Sequence, residues 1–219
     1  MHIQPVVHAG QQKWSLSTQK SGFGAILADP PWRFANRTGK IAPEHQRLMR
    51  YPTMSLEQIM HLPVSEMASP QSHLYLWVPN ALIAEGLAVM KAWGFIYKTN
   101  LVWVKVRKDG GPDGRGVGFY FRNVTELVLF GTRGSLRTFS PGRRQVNVLP
   151  SRKREHSRKP DELYDLIEQC SPGPYLEVFA RHHRAGWSQW GNQLRMAPAT
   201  PINSGMNADE PVSSTTPSQ

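Results

Sequence analysis

The sequence contains little cysteine and no long apolar run. Cys170 is the single cysteine among 219 residues, so an internal disulfide is excluded and a reducing compartment is favoured. No apolar segment approaches the roughly 20 residues that a membrane-spanning helix needs. Residues 1–20 also lack the continuous apolar stretch of a secretion signal. These absences predict a cytoplasmic protein that does not enter a membrane.

Acidic residues are scarce relative to basic ones. Lysine and arginine total 26 against 16 aspartates and glutamates, which gives a formal net charge of +10. The basic residues cluster from 133 to 159, where Glu155 is the one acid. The basic positions of this cluster are Arg133, Arg137, Arg143, Arg144, Arg152, Lys153, Arg154, Arg158 and Lys159. Such a cluster favours a polyanionic partner, most often nucleic acid.

The ends of the chain differ in composition from its centre. Residues 196–219 are rich in proline, serine, threonine and asparagine with little to bury, which predicts a disordered tail. Residues 1–20 have weak periodicity and are predicted to form an N-terminal extension. Residues 21–195 are therefore expected to form one domain, which is long enough to bury a full core.

Strand and helix patterns alternate along this domain. Apolar runs predict strands, and capped segments with helical spacing predict helices. The predicted strands are 23–28, 72–79, 96–106, 126–132 and 174–180. The predicted helices are 55–63, 80–94 with Asn80 as its cap, and 159–170 with Pro160 at its first position. Residues 108–118 and 134–158 are predicted to be irregular. This alternation is typical of an α/β protein with helices packed on a sheet.

Two chemically rich segments directly follow predicted strands. DPPW, residues 29–32, comes after the first strand, and RHHR, residues 181–184, comes after the last. Ligands of open α/β sheets bind beyond the carboxyl ends of the strands. We therefore expect these two segments to form one site.

The DPPW segment suits recognition of an exocyclic amine on a nucleobase. The Asp29 carboxylate and the Pro30 carbonyl would accept the two N–H bonds of such an amine. Pro30 and Pro31 restrict the backbone that directs these acceptors, and Trp32 offers a flat ring on which an unstacked base could stack. A strand-ending turn with a core tryptophan explains each residue taken singly, but the four in this order favour a catalytic segment.

The chain resembles the MT-A family of adenine N6 methyltransferases from about Gly24 to Leu194. The resemblance is carried by ADPPW at 28–32, YPTMS at 51–55, HLYLWV at 73–78 and the whole stretch 156–194. It implies a Rossmann-like methyltransferase fold of permuted order, in which the catalytic motif precedes the cofactor motif. It also implies S-adenosylmethionine as the donor of a methyl group to the N6 amine of adenine.

The resemblance implies roles for individual residues. Asp29 and Pro30 would hold the adenine amine, and Tyr51 would line the substrate pocket. Lys159 and His183 would face the carboxylate of the donor, while Asp29 would lie near its amino group. The residues implied for the rest of the donor are Glu177 and Phe179 in the pocket wall, and Arg181, Asn192 and Gln193 at the ribose and adenine. Arg184 departs from the eukaryotic pattern, which has a small polar amide at this position.

Phosphates of the substrate are expected to contact basic residues near the catalytic segment. Arg33, Arg37 and Lys40 follow DPPW closely, and the basic residues from 133 to 154 would extend this surface. No metal is expected, because methyl transfer from a sulfonium needs none and the histidines lack the spacing of a metal site. A homodimer is left open.

The substrate is predicted to be DNA, because the loop before Glu126 resembles bacterial and phage members of the family. Methylation of RNA is the nearest alternative. A non-catalytic subunit that binds nucleic acid is another, although the intact DPPW segment argues for activity. Methylation of a protein or small molecule fits poorly with the charge of +10.

Overall fold

The computed structural model describes residues 21–34, 52–113, 120–152 and 158–191, and the structural statements below concern these ranges. They contain seven strands, which are β1 (Phe23–Ala28), β2 (Ala68–Val78), β3 (Ile96–Val106), β4 (Thr125–Arg133), β5 (Val148–Arg152), β6 (Tyr175–Val178) and β7 (Trp187–Trp190). The strands form one sheet in the order β5-β3-β4-β2-β1-β6-β7. Among these strands β4 alone runs antiparallel to both of its neighbours.

Helices cover both faces of this sheet. The described ranges contain α1 (Leu56–Met60), α2 (Val64–Met67), α3 (Ile83–Ala92) and α4 (Glu162–Cys170), with 3-10 turns at Asn80–Leu82 and Ser140–Arg143. On β1, Ile26 and Ala28 pack into the core beneath α1 and α3, whereas Ala25 and Leu27 face the core beneath α4. A strand that is buried on both faces lies at the centre of a three-layer α/β domain. The predicted α/β fold class is therefore confirmed.

The strand order places the ends of β1 and β6 at a topological switch point. The chain passes from β1 to β2 on one side, and β6 pairs with β1 on the other. Asp29 follows β1 and Phe179 follows β6, so both lie at the edge where open α/β sheets bind ligands. Because β4 is antiparallel, it begins at this same edge, and Glu126 joins them there. We call this edge the site edge.

Two predicted helix starts are wrong. Asn80 lies within a 3-10 turn, and its side-chain amide donates to the carbonyl of Thr125 at 3.2 Å and to its hydroxyl at 3.1 Å. It therefore joins the end of β2 to the start of β4, and α3 begins only at Ile83. Pro160 precedes the last helix, which begins at Glu162.

Two strands were not predicted. β5 lies at one edge of the sheet inside the segment that was expected to be irregular, and β7 lies at the other edge. An edge strand is half exposed and can contain a proline, as β5 does at Pro150, so neither strand carries an apolar run. The predicted N-terminal extension and the predicted tail lie outside the described residues. No helix of the described ranges is long and apolar enough to cross a membrane.

Candidate active site

Backbone hydrogen bonds fix the loop that follows β1. The N–H of Trp32 donates to the carbonyl of Pro30 at 2.8 Å, which closes a tight three-residue turn. The N–H of Met54 donates to the carbonyl of Pro31 at 2.9 Å and joins the loop to the segment before α1. The Pro30 carbonyl keeps a second lone pair for another donor. The two predicted acceptors, Asp29 and Pro30, thus stand on a rigid turn at the site edge.

Trp32 is a core residue. Its side chain is 8% exposed and packs with the apolar cluster beneath α1 and α3. Its indole N–H donates to the carbonyl of Trp77, near the end of β2, at 2.9 Å. A ring packed in this way does not offer a face to a base, so the predicted stacking role does not fit the structure. The hydrogen bond to Trp77 instead attaches the catalytic loop to the neighbouring strand.

Asp29 belongs to a row of four alternating charges. The Lys159 ammonium lies 3.2 Å from a carboxylate oxygen of Asp29 and 3.0 Å from one of Glu126. The Lys105 ammonium lies 2.5 Å from the other carboxylate oxygen of Glu126. Lys159 also lies 5.0 Å from the centre of the Trp77 ring, at a distance typical of a cation–π contact. The row is formally neutral, which allows all four half-buried groups to stay ionised.

The pKa values of the row follow from this pairing. Burial alone would raise the pKa of Glu126, but the ammonium groups of Lys159 and Lys105 outweigh it and lower the pKa to about 2. Burial alone would lower the pKa of Lys159, but the carboxylates of Asp29 and Glu126 more than offset it, so that pKa is raised. Lys159 is thus a permanent cation against Asp29 at neutral pH.

Glu126 is the residue of this row that the sequence did not identify. The sequence placed it only at the start of an apolar strand, and its role depends on β4 running antiparallel, which no local pattern reveals. An acid that opens a buried strand in a chain with an excess of base is the one available signal. Lys159 was predicted to face the donor carboxylate. Its observed partners are two carboxylates, and one of its three N–H groups remains for another acceptor.

A pocket opens beside Asp29 and Lys159 toward the end of β6. It is lined by both predicted segments, the one after β1 and the one after β6. Among its lining residues are the predicted donor contacts Glu177, Phe179, Arg181 and His183. The structure therefore brings together at one pocket all of the predicted donor-binding residues that it describes.

Glu177 is held by two hydrogen bonds. The hydroxyl of Tyr164 donates to one carboxylate oxygen at 2.7 Å, and the side-chain amide of Gln189 donates to the other at 2.6 Å. Burial raises the pKa of Glu177, although these two hydrogen bonds oppose the shift. The carboxylate keeps further lone pairs that can accept from hydroxyl groups of a ligand.

Phe179 has an unusual backbone conformation. Its φ is +69°, a left-handed value that costs energy for a residue with a bulky side chain. The ring packs edge-on against Trp190 at 5.6 Å, and the N–H of Ala180 donates to the Trp190 carbonyl at 2.9 Å. Strain that is held in place by neighbouring contacts is common at binding sites.

Arg184 holds the segment after β6 against α4. Its guanidinium donates to Glu168 at 3.0 Å and to Asp165 at 2.8 Å, and it lies 4.7 Å from the centre of the Tyr164 ring. Its backbone N–H donates to the side chain of Gln189 at 2.8 Å. The arginine that departs from the eukaryotic pattern is therefore occupied with α4, next to the two residues that hold Glu177.

The chemistry of the pocket fits a zwitterionic ligand such as S-adenosylmethionine. Asp29 suits an ammonium group, Lys159 suits a carboxylate, and Glu177 suits hydroxyl groups. Arg158 also lines the pocket, and its buried Nε–H has no hydrogen-bond partner among the described residues. A buried donor of this kind is expected to meet an acceptor from a ligand or water.

The remaining predicted residues divide into two groups. Arg33 is exposed beside the catalytic loop. Tyr51, Arg37, Lys40, Asn192 and Gln193 lie outside the described residues. Within those ranges, no group of three or more histidine, cysteine, aspartate or glutamate residues is placed to hold a metal ion.

The basic cluster of the sequence is divided between two edges of the sheet. β4 ends at Arg133 on the edge opposite the site, where Arg137, Arg143 and Arg144 precede β5. β5 then returns to the site edge at Arg152. The expectation of one continuous phosphate-binding surface from 133 to 154 is therefore wrong, because β5 separates its two halves.

Comparison with known proteins gives a family. Residues 23–193 match the MT-A70 family model. The chain is 34% identical over 180 residues to a putative N(6)-adenosine-methyltransferase MT-A70-like protein of Medicago truncatula, covering 78% of this chain and 26% of the relative. It is 28% identical over 188 residues to the type II methyltransferase M.MunI of a Mycoplasma species, covering 78% of each chain.

A human relative is similar over the same part of the chain. The N(6)-adenosine-methyltransferase catalytic subunit METTL3 is 29% identical over 176 residues, covering 78% of this chain and 28% of the relative. The chain thus spans about a quarter of the length of the plant and human relatives. With a family match that extends from β1 past β7 and includes the whole pocket, the chain belongs to the MT-A70 family.

Proposed function

We propose that this protein transfers a methyl group from S-adenosylmethionine to the N6 amine of adenine in DNA. The observation that carries the proposal is the position of Asp29 and Pro30, on a rigid turn at the switch point and beside a pocket with zwitterion-binding chemistry. Membership of the MT-A70 family supports the same reaction.

Asp29 and Pro30 present two acceptors to the target amine. The Asp29 carboxylate accepts one N–H of the amine, and the free lone pair of the Pro30 carbonyl accepts the other. Both bonds strengthen as the amine nitrogen becomes pyramidal and gains positive charge, so they stabilise the transition state more than the ground state. Lys159 holds Asp29 ionised and oriented. The proton that the amine loses after transfer passes to solvent or transiently to Asp29.

The pocket residues hold the donor by charge complementarity. S-adenosylmethionine supplies an electrophilic methyl group on a sulfonium. Asp29 binds its ammonium group, while Lys159 and His183 bind its carboxylate, with the buried Nε–H of Arg158 available to the same end. Glu177 accepts from the ribose hydroxyls and Phe179 forms an apolar wall. Arg181, with Asn192 and Gln193, completes the site toward the adenine.

DNA is the proposed substrate rather than RNA. The chain and the bacterial type II methyltransferase each cover 78% of the other, whereas the chain covers only about a quarter of the plant and human adenosine methyltransferases. The adenine amine inside a stacked pair is not reachable for this chemistry, so the target base is single-stranded or turned out of the duplex.

The test is transfer of labelled methyl groups to long substrates. A PCR product of several kilobases contains every short recognition sequence without prior methylation, and it is compared with its separated strands and with RNA transcribed from it. Oligonucleotides that lack adenine serve as controls. Label in DNA alone supports the proposal. Label in RNA alone supports the alternative substrate, and a protein that binds no donor by calorimetry is a non-catalytic subunit.

A further inference from the structure

Two neighbouring aromatic side chains project into solvent just before β4. Tyr120 is 95% exposed and Phe121 is 86% exposed, more than any other large hydrophobic side chain of the described ranges. Single exposed apolar residues are ordinary, but two adjacent rings left almost entirely in water form a feature that usually has a binding partner.

The segment that carries these rings is anchored at the site edge. The N–H of Lys105, near the end of β3, donates to the carbonyl of Val124 at 2.8 Å. The side-chain amide of Asn80, just after β2, donates to the carbonyl of Thr125 at 3.2 Å. Phe121 is five positions before Glu126, so its Cα lies within about 18 Å of the Cα of Glu126. The rings therefore stand beside the entrance to the Asp29 pocket.

The surroundings of the rings are basic. Arg122 follows them directly and is exposed. Arg107 and Lys108 are exposed in the loop after β3, on the other side of the Lys105–Val124 hydrogen bond. Aromatic rings among cationic side chains are the arrangement by which proteins bind single-stranded nucleic acid, since bases stack on the rings and phosphates contact the cations. A protein partner docking by apolar contact alone would not need these charges.

We propose that Tyr120 and Phe121 form a stacking platform for unpaired bases next to the target adenine. This inference rests on the proposed function and adds to it the element that would keep the substrate locally single-stranded. A stacked neighbouring base offsets part of the cost of removing the target adenine from its own stack.

The test compares variants in binding a fluorescein-labelled, single-stranded 20-mer DNA of mixed sequence, followed by fluorescence anisotropy. Tyr120→Ala/Phe121→Ala is expected to weaken binding about 10- to 100-fold, from the loss of one or two stacked bases. Tyr120→Phe/Phe121→Tyr keeps both rings and is expected to bind within about threefold of wild type. Ile96→Ala/Tyr97→Ala is the matched control, because it removes an exposed pair at the opposite edge of the sheet.

The salt dependence of binding separates stacking from charge. The slope of log affinity against log salt is expected to stay unchanged in Tyr120→Ala/Phe121→Ala, because no phosphate contact is lost. Sedimentation at the same protein concentrations records the oligomeric state of each variant, and thermal melting confirms that each is folded.

Three results would overturn the inference. One is equal affinity of the alanine pair and wild type. Another is a dimer that the alanine pair converts to a monomer, which would make the rings a contact between copies. The third is equal losses in the Ile96→Ala/Tyr97→Ala control. Wild-type protein that methylates DNA while the alanine pair binds normally would refute the platform alone, whereas wild-type protein that binds no nucleic acid would refute the proposed function with it.

Discussion

Lys159 is the residue that joins the two halves of the site. Its ammonium contacts Asp29, which follows β1, and Glu126, which opens β4, while its neighbour Arg158 lines the pocket. A half-buried cation between two carboxylates keeps both ionised and limits the positions that each can take. The orientation of Asp29 is therefore set by a neighbouring charge as well as by the prolines of its own loop.

Glu126→Gln tests the charge row through its pH dependence. The folded pKa of Glu126 is about 2 and its unfolded value is near 4.3, so the unfolded chain binds a proton first as the pH falls. Its stabilisation is complete above about pH 5 and is lost toward pH 2. The difference in unfolding free energy between wild type and Glu126→Gln should shrink by about 1 kcal/mol between pH 6 and pH 3.5 in urea titrations.

Glu57→Gln, which removes an exposed carboxylate from α1, controls for the chemical change itself. A stability difference between wild type and Glu126→Gln that stays constant over this pH range would contradict the pairing of Glu126 with Lys159 and Lys105.

Trp32→Phe tests whether the buried indole positions the catalytic loop. The change keeps an aromatic ring in the core but removes the donor to the Trp77 carbonyl, so stability should fall by about 1–2 kcal/mol. Trp93→Phe is matched to it, because the Trp93 indole also donates to a buried carbonyl, that of Ile59, at 3.0 Å in the same core. Both variants should lose similar stability, but only Trp32→Phe should lower kcat for methyl transfer. Equal kcat values in the two variants would leave Trp32 a packing residue.

At the scale of elements, the direction of β4 is the feature that completes the site. An antiparallel strand in an otherwise parallel sheet brings its first residues, instead of its last, to the site edge. Glu126 reaches Asp29 by this route, and the exposed rings of Tyr120 and Phe121 precede it on the same segment. Asn80 fixes this start by joining it to the end of β2.

Arg184→Met tests the attachment of the segment after β6 to α4. The change removes the contacts of Arg184 with Asp165, Glu168 and the Tyr164 ring, which lie next to the hydrogen bonds that hold Glu177. Two charge-assisted hydrogen bonds in a partly exposed setting correspond to a rise of about 10-fold in the dissociation constant of the donor, measured by calorimetry. Arg184→Lys keeps the charge but not the forked geometry, so it should recover only part of the affinity.

Arg107→Met is the control for this variant. It removes a comparable pair with Asp109 on an exposed loop, and donor affinity should stay at the wild-type value. Wild-type donor affinity in Arg184→Met would mean that the segment after β6 holds its position without α4.

At the scale of the whole molecule, the chain order of strands and helices was readable from the sequence, and the site only in part. Buried strands such as β1 carry apolar runs, and DPPW marks the switch point directly. Edge strands carry no such run, so β5 escaped prediction, and with it the division of the basic cluster. Glu126 escaped because strand direction depends on pairings between distant segments. Trp32 was read as a free ring because burial is not visible in four residues.

The division of the basic residues predicts which charges contact a short substrate. Arg33 and Arg152 are exposed at the site edge, whereas Arg143 and Arg144 lie at the opposite edge. Arg33→Gln/Arg152→Gln should weaken binding of a 20-mer and reduce its salt slope by about 1, whereas Arg143→Gln/Arg144→Gln should leave both unchanged. Anisotropy titrations from 50 to 200 mM salt give both quantities. A larger effect from the opposite edge would place the substrate elsewhere.

The most direct measurement is nucleoside mass spectrometry of DNA that has been treated with S-adenosylmethionine and either wild type, Asp29→Asn or Asp109→Asn. Asp109 is an exposed carboxylate outside the site and provides the matched control. The predicted result is N6-methyladenine with wild type and Asp109→Asn, and a loss of at least about 100-fold with Asp29→Asn, which removes the charged acceptor from the amine. Wild-type levels of N6-methyladenine from Asp29→Asn, or methylation at any other position, would contradict the account.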